Sequence, residues 1–144
     1  MKIQIEGLRE TLKAFSDLPK DASTELRDAS LKLSRLLATK VAAEGKADGA
    51  PQSALVADTV KATRDRVPAI SAGGTRKLGR NKAPAYTLLF GSVFGSNTYR
   101  QFGRPHRGRD AYWFFDVVER DADDIARAWN EAADAIVRKF SEGA

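Results

Sequence analysis

Phe115, Val118, Ala122, Ile125, Trp129, Ala132, Ile136 and Phe140 recur at intervals of 3, 4, 3, 4, 3, 4 and 4 residues. Only a helix brings such positions onto one line, and a strand would scatter them over both faces. The pattern predicts a C-terminal helix of seven or eight turns whose apolar stripe needs a partner layer. Acidic residues dominate its first half and Arg138 and Lys139 stand near its end, as the helix dipole favours.

The partner is expected from the N-terminal half. Leu26, Ser30, Leu33, Leu37 and Val41 line one face of a helix spanning 21 to about 44, and Leu36 widens that face. Gly45 is expected to end it, with Gly49-Ala50-Pro51 beyond. Before it, residues 2–5 alternate as a short edge strand does. Leu8, Leu12, Phe15 and Leu18 fit a helical unit closed by Pro19. After it, Ser53 can cap a short helix, and residues 64–71 read as a strand that Pro68 keeps at an edge or marks with a bulge. Residues 73–82 are expected as a basic loop or hairpin tip. Pro84 opens a short helix over 85–90 that Gly91 stops, and 93–94 suits a short strand. The expected fold is a single α+β domain over 1–144. A small antiparallel sheet packs against the long C-terminal helix and the N-terminal helices, with extended basic loops.

Charge is segregated. Residues 1–60 carry nine basic and nine acidic side chains; 61–109 carry eleven basic against one acidic, Asp65; 110–144 carry four basic and nine acidic. The middle is expected to face an anionic partner or the acidic end of a neighbouring copy. Arg76, Lys77, Arg80 and Lys82 form one basic cluster, and Arg100, Arg104, Arg107 and Arg109 another. The second cluster lies in "YRQFGRPHRGRDAYWFF", together with Phe102, the single histidine His106, Tyr112 and Trp113. Trp113 and Phe114 would stand about 100° apart on a helix, so one of them is expected to leave the domain's own core for a protein contact.

Catalytic constellations are missing. There is no cysteine, so disulfides, thiolate metal sites and cysteine nucleophiles are excluded. His106 lacks partners for a triad, and neighbouring cations make it a poor base. Asp121, Asp123 and Asp124 cannot share one helix face, so they read as a solvated surface rather than a metal site. "GGTRKLG" and "GRPHRGR" match neither phosphate-binding glycine pattern. The chain is therefore expected to be no enzyme and to use no cofactor. No secretory signal and no apolar run of membrane-spanning length can be read; the charge-free stretch 83–99 is broken by Pro84, Gly91 and Gly95. Sequence-independent nucleic-acid binding through residues 61–109 is the alternative, with Tyr86, Tyr99 and Phe102 among the cations.

The order of features, from "GLRETLKAFSDLP" through "AYTLLFGS" to the Arg/Pro/His loop and the aromatic opening of the last helix, resembles a known family. It is the phage tail-component family typified by gene product 10 of phage HK97, which are neck or tail-completion proteins of long-tailed phages. Ala85-Tyr86 and Leu89-Phe90-Gly91-Ser92 stand where that family has a "YA…EFGT"-like segment, with Leu89 replacing the acidic residue and Ser92 the threonine. The resemblance implies a non-enzymatic virion protein made in the host cytoplasm. It implies a ring, a hexamer by analogy, that joins tail to capsid connector around the DNA channel and contacts other neck and tail proteins, but no membrane. Under it, Arg100, Phe102, Arg104, His106, Arg107, Arg109, Tyr112 and Trp113 would meet a subunit or partner. Arg76, Lys77, Arg80 and Lys82 would face DNA without reading its sequence.

Overall fold

A computed structural model describes residues 2–4, 12–13, 15–48, 51–94 and 113–142. Two long helices dominate: α1 (Lys20–Ala47) and the C-terminal helix, Trp113–Glu142. Between them run α2 (Pro51–Ala57) and α3 (Ala85–Phe94), so the C-terminal helix is α4. Strands β1 (Lys2–Gln4), β2 (Lys61–Thr63) and β3 (Ala69–Ser71) form an antiparallel sheet in the order β1-β3-β2. A second antiparallel pair joins β4 (Lys77–Leu78) to β5 (Ala83–Pro84). The class is α+β, as the sequence predicts.

Helices α1 and α4 run antiparallel: Lys40 Nζ reaches Asp121 Oδ2 at 2.8 Å near one end, and Lys139 Nζ reaches Glu25 Oε1 at 2.5 Å near the other. These exposed pairs contribute little energy and mainly mark the register. The work is done by Leu26, Leu37 and Val41 of α1 against Phe114, Val117 and Trp129 of α4, all essentially fully buried. Burying each such apolar side chain is worth roughly 1.5–3 kcal/mol. The α4 stripe is as predicted at Val118, Ile125, Trp129 and Ile136, while Phe115 is only half-buried and Phe114 takes the core position.

The row Ile3, Ile70 and Ala62 crosses the three strands in register, and Ile3 and Ile70 belong to the core. Residues 64–71 are not one strand: 64–68 turn the chain between β2 and β3. Pro68, with no N–H to give, is buried just ahead of the central strand rather than on an edge. Because this turn packs against the helices, its backbone needs partners inside the protein. Ser30 Oγ and Trp129 Nε1 both donate to the Arg66 carbonyl at 2.8 Å, and Trp129 Nε1 also lies 2.9 Å from Ser30 Oγ. Ser34 Oγ accepts from the Ala69 N–H at 2.8 Å while donating to the Ser30 carbonyl at 2.8 Å. Two serines and a tryptophan thus weld both helices to the sheet.

Two glycines expected to stop helices lie within them. A Cβ on Gly45 would fall 2.7 Å from Trp113 Cζ3 and 2.9 Å from Ala57 Cβ, so glycine is the residue that lets α2 and the start of α4 close onto α1. Gly91 is buried inside α3, which continues to Phe94, so the strand expected at 93–94 is helix. Helical backbone is described at Leu12 and Lys13, and Phe15 is buried against the core; Leu8 lies outside the described residues.

Candidate functional site

The basic cluster of 76–82 is built on the β4–β5 hairpin. Lys77 pairs with Pro84 and Leu78 with Ala83, and residues 79–82 make the tip. The reversal needs left-handed backbone at Gly79 (φ 72°) and Lys82 (φ 51°); glycine adopts it freely and lysine only rarely. Leu78 is buried, and the Gly79 backbone passes close to Leu55, which seats the hairpin on α2.

The hairpin is also joined to α3. The Ala85 N–H donates to the Arg76 carbonyl at 2.8 Å and the Tyr86 N–H to the Gly74 carbonyl at 2.9 Å. These bonds satisfy amides that a helix start leaves orphaned. On the inner face of α3, Ala85, Leu89 and Val93 are buried. On the outer face, Tyr86 and Phe90, one turn apart, are 47% and 52% exposed. Arg76, Lys77, Arg80 and Lys82 are all exposed, and none forms an ion pair with a described residue. The structure thus puts four cations and two aromatic rings on one connected unit.

Helix α4 supplies the opposite charge. Asp116, Asp123 and Asp134, at intervals of seven and eleven residues, share an exposed face and make no ion pair with a described residue. The three adjacent aspartates part company: Asp121 turns to Lys40, Asp124 lies 3.5 Å from Arg127, and Asp123 points elsewhere. Asp65, the one acid of the basic middle, is consumed locally. It accepts from Lys2 Nζ at 3.0 Å, Gln4 Nε2 at 2.9 Å and the Arg66 N–H at 2.7 Å, and so ties β1 to the β2–β3 turn. Partial burial raises its pKa, but the hydrogen bonds from Lys2, Arg66 and Gln4 and the Lys2 charge together outweigh burial and hold it below the ordinary aspartate value.

Arg100, Phe102, Arg104, His106, Arg107, Arg109 and Tyr112 lie outside the described residues. Trp113 and Ser92 meet in the core. Trp113 is 5% exposed, its Nε1 donating to Ser92 Oγ at 3.0 Å, and Ser92 Oγ lies 2.5 Å from Ser53 Oγ, which donates to Asp48 Oδ2 at 2.7 Å. The indole packs over Gly45, with Phe114 edge-on to it at 5.9 Å. The expectation that Trp113 or Phe114 leaves the core is therefore corrected. Both are buried, because the glycine in α1 opens room for an indole beside Phe114. Ser53 likewise sits inside α2, bonded across helices rather than capping one.

Two surface features escape the sequence reading. Leu36, expected to widen the buried face of α1, is 63% exposed. It borders a cleft of about 240 Å³ between α1 and α4. Phe90, expected at the end of a short helix, stands in mid-helix facing outward. No helix among the described residues is long and apolar enough to cross a membrane. Compared with known proteins, the chain matches no family model, no curated protein and no solved structure.

Proposed function

We propose that this protein is a non-enzymatic structural component of a tailed phage, assembling as a ring at the head–tail neck that joins the tail to the capsid connector around the DNA channel. The observation that carries this reading is the division of unpaired charge between two elements of the fold. Four cations of the β4–β5 hairpin and three aspartates of the α4 outer face all lack an ion-pair partner among the described residues. Segregated, complementary charge on separate elements suits a head-to-tail contact between identical copies, which closes into a ring when the rotation permits. The family resembled by the sequence assigns the same architecture, with a hexamer by analogy. Arg100, Arg104, His106 and Arg107 would then meet an adjacent ring.

The test is Arg104→Glu together with Arg107→Glu in the phage gene. It is expected to block tail joining while the purified protein keeps its helical circular dichroism. Normal virions from that variant would rule out a role for these arginines in tail joining.

A second reading, sequence-independent nucleic-acid binding, draws on one specific observation: Tyr86 and Phe90 stand exposed beside the hairpin cations, a combination suited to base stacking and phosphate contact. Gel-shift titration separates the two. Tight binding of DNA by the isolated monomer, falling steeply with salt, would favour this second reading.

A further inference from the structure

We infer that nucleic-acid phosphates bind along a track wider than the hairpin, one that crosses the edge of β2 from α1 to the turn at Gly73 and Gly74. The inference rests on the DNA contact in the ring reading and adds two elements to it. Two clefts flank Lys61. One, of about 580 Å³, lies between α1 and β2 and carries Arg35, Lys46 and Lys61. The other, of about 470 Å³, carries Lys61 again with Arg76, beside Thr75 and the two glycines. Lys61 lines both, and Arg76 directly precedes β4, so the cations lead from α1 into the hairpin. Arg35, Thr39, Ala42 and Lys46 share one face of α1, and that face walls the first cleft. Charge zoning along the sequence hides this grouping, because residues 1–60 balance to zero.

The track is positive. Arg35, Lys61 and Arg76 are exposed and form no ion pair with a described residue. Among the described residues Asp58 is the one carboxylate lining either cleft, and Lys46 lies 3.5 Å from it. The walls favour phosphate over a protein partner. Apart from Val60 their apolar residues are alanines, so they lack the large anchor on which a protein interface centres. Gly73 and Gly74 hold left-handed backbone, and a Cβ on Gly74 would meet nothing within 4 Å, so a ligand can approach the main chain there. Thr59 Oγ1 takes the Gly73 N–H at 2.9 Å, whereas the amides of Gly74 and Thr75 have no partner among the described residues. Free amides in a turn between cations suit phosphate oxygens. Tyr86, half-exposed, is joined to this turn through the Gly74 carbonyl and offers a ring for a base to stack on.

Arg35→Ala with Lys61→Ala tests the track without touching the hairpin. Short fluorescein-labelled DNA, single-stranded and duplex, is titrated with the purified protein by anisotropy over a salt series, beside sedimentation and circular dichroism. The variant should keep its helices and bind at least about ten-fold more weakly, with a log–log salt slope on duplex shallower by about 2. Asp58→Asn should bind more tightly than the parent. An unchanged slope in the double variant confines the contact to the hairpin and overturns the track. A parent that sediments as a ring yet binds no DNA at low salt overturns the track and leaves the ring standing; inorganic phosphate raising its Tm would make the turn a seat for free phosphate instead. Binding that the double variant weakens in a protein that stays monomeric upholds the track and overturns the ring. Displacement of the DNA by polyglutamate at equal charge gives the surface to an acidic protein and overturns the track.

Discussion

Gly45→Ala sets two physical effects against each other, and the structure decides between them. Replacing a helical glycine by alanine ordinarily stabilises by about 1 kcal/mol through backbone entropy. Here the new methyl would lie 2.7 and 2.9 Å from two atoms of the Trp113 ring and 2.9 Å from Ala57 Cβ, separations that real Cβ atoms do not tolerate. Neither neighbour gives way easily: the indole is held by its bond to Ser92, and the Ala57 methyl moves only with α2. Overpacking of this kind costs roughly 1–3 kcal/mol, more than the propensity gain at most of that range. The expected net loss is about 1 kcal/mol, a Tm fall of roughly 3–5 °C for a chain of this size. Urea unfolding followed by tryptophan fluorescence measures it. The decisive comparison is the same substitution in a Trp113→Leu background, where the clash is gone and alanine should be neutral or stabilising. A Gly45→Ala protein more stable than its parent, or no coupling between the two sites, would refute the packing described at the start of α4.

Other outcomes follow from the same structure. Trp129→Phe keeps a ring but removes the indole N–H from Ser30 and Arg66, and should cost roughly 1–3 kcal/mol in urea unfolding. Asp65→Asn should loosen β1 at neutral pH by about 1 kcal/mol. Because the folded-state pKa of Asp65 lies below its unfolded value, its contribution is complete above the unfolded pKa of about 3.9 and fades as pH falls through the folded value. Urea midpoints of parent and variant should therefore converge in acid, and a constant gap would contradict the assignment. Leu36→Ser should change unfolding free energy by no more than about 0.5 kcal/mol, since the side chain is largely in water already.

The C-terminal helix was legible because thirty residues of one period leave no other structure that buries the stripe. The class of fold followed from it and from the shorter stripe of α1. What misled was punctuation. Gly45 and Gly91 carry the freedom that ends helices, yet both lie inside them; at Gly45 the missing Cβ serves close packing, which becomes visible only when Trp113 is in place. The turn at 64–68 was hidden because "RDRVP" reads as extended chain, and its Arg66 carbonyl is answered by Ser30 and Trp129 from elements far away in sequence. The periodicity of α1 places Ser30 on its buried face, but nothing local names Arg66 and Trp129 as its partners. The basic hairpin was legible as a charge cluster, whereas the exposure of Tyr86 and Phe90 depended on which side of their helix the core takes, and it takes Ala85, Leu89 and Val93.

Closure of copies of this chain into a ring through complementary charged surfaces can be followed by native mass spectrometry of the purified protein over a concentration series, at low and then rising ionic strength. One closed oligomer, a hexamer by analogy, is expected, giving way to monomer as salt screens the contact. A monomer at every concentration, or an open-ended series with no preferred size, would contradict it.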